Sequence, residues 1–76
     1  MVNEKLKSAD KTINKFANKI ILNKAQGKKF DDSEIKSVKK AMQIISDSCI
    51  YQFSIDGDLE TLFKQIQDYC AIFTMN

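Results

Sequence analysis

Apolar residues recur along this chain in three runs with helical spacing. In the first, Leu6, Ala9, Ile13, Phe16 and Ile20 step by 3, 4, 3 and 4, with Ala17 alongside. That is the period of one buried face of an α-helix. Lys7, Lys11, Lys15 and Lys19 step by four along another face. Gly27 then stands where a left-handed residue ends a helix, with Lys24, Lys28 and Lys29 near the negative end of its dipole.

The second run is Ile35, Val38, Met42, Ile45 and Cys49, and the same spacing reaches Phe53. Its start carries the residues of a capping box. Asp31 is the expected N-cap and Glu34 its partner, and Phe30 and Ile35 are placed to form a hydrophobic staple. The third run is Leu59, Leu62, Ile66, Tyr69 and Phe73, broadened by Phe63 and Cys70. Together the runs predict an all-α fold with helices at about 4–26, 32–53 and 58–75, in one domain over 1–76. Short connections favour a three-helix up-down-up bundle. A second copy of the chain is able to complete such a small core.

One stretch competes with this reading. Tyr51, Phe53 and Ile55 alternate with Gln52 and Ser54, and Asp56-Gly57 is a hairpin turn signal. A strand there needs a partner, and no other segment alternates. The expectation is therefore that the second helix continues to about Phe53 and a turn follows. Asp56, Asp58 and Glu60 resemble the first ligands of a calcium loop, but its sixth and twelfth positions hold Thr61 and Gln67 instead of Gly and Glu. An Asp that caps the third helix is the better reading.

Charge changes the picture more than composition does. Residues 1–40 hold eleven lysines against five acids, and residues 41–76 hold Lys64 against five acids, so the overall +2 conceals halves of +6 and −4. Every basic residue is Lys, so the chain lacks the planar guanidinium fork used for bidentate anion and guanine contacts. No apolar run approaches the roughly 18 residues of a membrane span. A cytoplasmic protein is expected.

Chemistry has little to work with. The chain has no His, no Gly-rich phosphate loop, and no carboxylate on an apolar stripe. It is read as a non-enzyme without metal or cofactor. Cys49 and Cys70 both fall on apolar stripes and are expected as buried thiols. In a hairpin turning near Gly57 they would be offset axially by roughly 9 Å, too far for a disulfide.

What remains is binding. Ile44, Tyr51 and Ile55 lie off the core stripe and would share a second face of a helix that reached Ile55. Leu22 falls among the lysines, and Ile72 and Met75 are off-stripe near the end. A cluster of such residues beside an aromatic marks an interface. The expected role is a small protein-binding module, of the inhibitor, immunity or regulatory kind, that docks a partner protein through Ile44, Tyr51 and Ile55 or forms a homodimer. The alternative is sequence-tolerant nucleic-acid binding, with Lys7, Lys11, Lys15 and Lys19 on the phosphate backbone.

Overall fold

The computed structural model describes residues 4–73. Three α-helices follow one another, α1 (Glu4–Gln26), α2 (Asp32–Asp47) and α3 (Leu59–Ile72), and the described residues contain no strand. The all-α three-helix bundle is as the periodicity predicts. The expected end of the third helix beyond residue 73 lies outside the described residues.

The caps explain most boundaries. Gly27 is left-handed with φ of 67°, and the Lys28 amide donates to the Asn23 carbonyl at 2.9 Å, closing a Schellman turn at the end of α1. At the start of α3, Asp58 accepts from the Thr61 amide at 2.8 Å. A Cβ at Gly57 would sit 3.0 Å from the Thr61 methyl, so a side chain in the turn into this cap would require Thr61 to shift by a few tenths of an ångström. The second capping box does not close. Asp31 has the extended backbone of an N-cap but makes no side-chain cap bond, and Glu34 instead reaches Lys19 of α1 at 2.6 Å. Phe30 turns into the core, stacked on Phe16 at 4.5 Å and tilted against Phe63 at 5.3 Å.

The helices are packed in an unexpected order of direction. The ion pair Lys19–Glu34 sets α2 antiparallel to α1, with the last turns of α2 near the first turns of α1. For α3, Tyr69 meets Asp10 while Phe63 meets Phe16. Going up α1 means going back along α3, so these two are also antiparallel. With equal rise per residue, Ile13 lies level with Ile66 and Ile20 with Leu59. Hence α2 and α3 run in the same sense, and the up-down-up order is corrected to up-down-down. Their backbones do not touch each other, whereas each packs on α1. The central helix is the first one.

A parallel pair needs a crossover, and residues 48–58 supply it. Eleven residues reach up to about 36 Å when extended, more than the roughly 24 Å length of α2. The expected helix to Phe53 is therefore corrected: α2 stops at Asp47, and Cys49 turns the chain out with φ of 61°. Residues 51–54 then have no regular secondary structure, and burial alternates from residue 51 to 55. Tyr51, Phe53 and Ile55 are turned inward, whereas Gln52 and Ser54 are exposed. This is strand-like alternation without a partner strand.

Side chains replace the missing strand. Phe53 donates its amide to Ser46 Oγ at 3.0 Å, and Gln52 Nε2 donates to the Ser46 carbonyl at 3.0 Å. Gln65 of α3 grips Ser54 at both backbone groups, accepting from its amide at 2.7 Å and donating to its carbonyl at 3.2 Å. Tyr51 and Phe53 pack on Tyr69, and Tyr51 also on Phe73. The aromatic rings thus form two groups, Phe16, Phe30 and Phe63 at one end and Tyr51, Phe53, Tyr69 and Phe73 at the other. Ile13, Ile20, Met42, Ile45, Leu62 and Ile66 fill the core between them.

Gln65→Ala removes both bonds that hold Ser54. Its expected cost is about 1–2 kcal/mol, read by urea denaturation, with amide exchange accelerated first at Ser54. Unchanged exchange there would show that Gln65 does not hold the crossover.

Candidate functional site

A concavity lies between α1 and α2. Its floor and rims are made by Thr12, Phe16, Leu22, Ser33 and Ser37, with Lys15, Lys19 and Glu34 at the edges, around a volume of about 660 Å³. A second depression of about 290 Å³ continues it toward the start of α1 and is lined by Lys5, Ser8, Ala9, Lys40, Ala41 and Ile44. Thr12 and Ser37 border both, so the two depressions adjoin end to end along the α1–α2 seam and together form a trough. From Lys5 to Leu22 it spans about 25 Å of helix.

The trough exists because small residues meet along the seam. Ser8, Ala9 and Thr12 on α1 oppose Ser33, Ser37 and Ala41 on α2, where longer side chains would have closed the gap. Thr12 spends its hydroxyl on the Ser8 carbonyl at 2.9 Å, which leaves its methyl for the groove. Leu22 is 53% exposed at one end. The edges carry four lysines against the single acid Glu34, which is paired to Lys19.

The residues singled out from sequence are divided by this geometry. Lys15 and Lys19 line the trough, whereas Lys7 and Lys11 are exposed on α1 outside it. Ile44 also lines it, at the Lys5 end. Tyr51 and Ile55 do not join Ile44, because the helix face they were to share ends at Asp47. Both sit on the crossover, half-buried against the core. The small residues and Lys40 were missed, since no single-helix pattern marks a seam that two helices form. Met75 lies outside the described residues.

Two further corrections concern buried chemistry. Cys49 is exposed rather than buried, having left the helix, and Cys70 is half-buried; neither forms a disulfide. Asp10 is a carboxylate buried in the core, against the expectation that no acid would be. It accepts from the Tyr69 hydroxyl at 2.7 Å and from Asn14 Nδ2 at 3.2 Å. Burial raises the pKa of Tyr69 well above its ordinary 10.0, and the hydrogen bond and charge of Asp10 add to this. Burial, and then the charge of Asp10, likewise raises the Cys70 thiol. Asp58 moves the other way, below the usual carboxylate range, through its hydrogen bonds with Thr61. The buried Asp10–Tyr69 hydrogen bond clamps α3 to α1.

The sign of the pH effect follows. A tyrosine whose pKa is raised by folding contributes its full stabilisation below pH 10.0 and loses it as the pH climbs toward the folded value. Tyr69→Phe is expected to cost about 1–3 kcal/mol at pH 7, because the Asp10 carboxylate keeps only Asn14. The gap between native and variant, measured by urea denaturation, should narrow above pH 10. A gap that stays constant from pH 7 to 11 would mean that the hydroxyl is not held by Asp10.

No helix among the described residues is long and apolar enough to cross a membrane. No protein-family model, no curated protein and no solved structure matches the chain.

Proposed function

We propose that the protein is a non-enzymatic binding module that docks a partner protein in the α1–α2 trough, in an inhibitory or regulatory role. The observation that carries this reading is the trough itself: two adjoining depressions that expose the apolar groups of Phe16, Leu22, Ala9, Ala41 and Ile44, with lysines on both walls and an exposed leucine at one end. Apolar floors with polar rims are what protein interfaces are built from. The charge on the walls steers an acidic partner and sets its register. Two cysteines outside any disulfide suit a reducing, cytoplasmic setting.

The second reading keeps its own observation. Lys7, Lys11 and Lys15 are exposed along α1 and, unlike Lys19, show no acidic partner within the described residues. Such a row fits phosphate backbone contact, which would be tolerant of sequence and sensitive to salt.

Ser37 is exposed, borders both halves of the trough and bears no core contact that a larger side chain would break. Ser37→Trp should therefore block the channel while leaving the circular dichroism unchanged, and cross-linked capture of the partner from host-cell extract should be lost. Capture at the native level would remove the trough as the docking surface. For the second reading, Lys7→Glu with Lys11→Glu should abolish binding of mixed-sequence DNA at about 50 mM salt. No DNA binding by the native protein would dispose of that reading.

A further inference from the structure

We infer that the segment received by the trough is an acidic amphipathic α-helix of about 17 residues, presented by the partner protein. This rests on the docking reading above and adds the chemistry of the occupant. Length comes first. The channel runs about 25 Å, and a helix of that length has about 17 residues. Shape comes second. The seam between two antiparallel helices, lined by the small residues Ala9, Thr12, Ser37 and Ala41, takes a ridge of side chains from a third helix. The described residues offer no strand edge for an extended peptide to join.

Charge decides the rest. Lys15 stands on the α1 wall and Lys40 on the α2 wall. The antiparallel register set by Lys19–Glu34 brings Lys40 level with Ile13, about 3 Å along the axis from Lys15. Positive charge therefore flanks the channel on both sides at mid-length. An occupant that seats apolar residues at i, i+3, i+4 and i+7 needs acids on both shoulders of that stripe to meet them. Nucleic acid fits less well: it would set a phosphate backbone over Phe16, Leu22 and Ile44 and leave these apolar groups unused.

The test uses the full chain and a synthetic probe. The probe is an 18-residue fluorescein-labelled peptide with leucines along one helical face and glutamates on both shoulders. One control scrambles its sequence, so that composition is kept and the apolar face lost; another replaces every Glu by Lys. Fluorescence anisotropy should show saturable binding of the acidic helix, with both controls at least about tenfold weaker. Lys15→Glu with Lys40→Glu should lose at least about tenfold, and amide shifts on binding should centre on Thr12, Ser37 and Ala41.

Absence of binding would overturn the inference, and so would equal binding of the scrambled peptide, which would reduce the site to charge alone. Displacement of the probe by a 20-base-pair duplex at 150 mM salt would assign the trough to nucleic acid. A native dimer in light scattering that Ser37→Trp dissociates would assign it to a second copy. The two levels of the reading separate cleanly. If Ser37→Trp abolishes partner capture but the acidic helix does not bind, docking stands and the chemistry proposed here falls. If capture survives Ser37→Trp, both fall.

Discussion

A carboxylate buried in the core of a 76-residue chain has to be satisfied, and Tyr69 is what satisfies Asp10. An unpaired charge at that depth would cost several kcal/mol, so the pair tolerates no sliding of α3 on α1. A slip of one turn would separate them by about 5 Å. With the register pinned, Phe63 falls on Phe16, and the direction of α3 is settled. The crossover, the parallel α2–α3 arrangement and the two aromatic groups all follow from that direction.

Much of this was legible in the residues. The α1 stripe, the Gly27 cap, the α3 stripe and the Asp58 cap were each written in a local pattern that a single helix decodes. The end of α2 was not. Cys49 and Phe53 continue the 3-and-4 spacing by coincidence, and no Pro or Gly interrupts it. What overrides the pattern is a set of side-chain grips on the backbone, from Ser46 and from Gln65 eleven residues beyond its target. Hydrophobic periodicity carries no record of such bonds. The alternation at Tyr51, Phe53 and Ile55 matches the alternating burial of the crossover, where no strand lies beside it.

The trough was legible only in pieces. Ile44, Lys15, Lys19 and Leu22 each stood out, but under different readings, and their assembly depends on which face of α1 meets which face of α2. Asp10 was missed for a related reason. A tyrosine in mid-stripe signals that its hydroxyl requires a buried partner, but sequence does not say which helix supplies it. Direction also organises the charge. Because α2 and α3 start at the same end, the acids Asp31, Asp32, Asp58 and Glu60 gather around two positive helix ends, and Lys24 lies in the last turn of α1 beside them.

The crossover also sets an order of assembly. The ion pair between α1 and α2 closes a loop of 15 residues, whereas Tyr69 meets Asp10 across 59. By loop-closure entropy the second contact costs about 1 kcal/mol more to bring together. The first two helices are thus the hairpin that forms at least entropic cost, and α3 is the element added to it. Amide protection would be graded accordingly, lowest along residues 48–58, where side chains and solvent stand in for a ladder. In a chain of this build the third helix is thus the later addition, docked across the crossover onto a seam that the first two helices form between themselves.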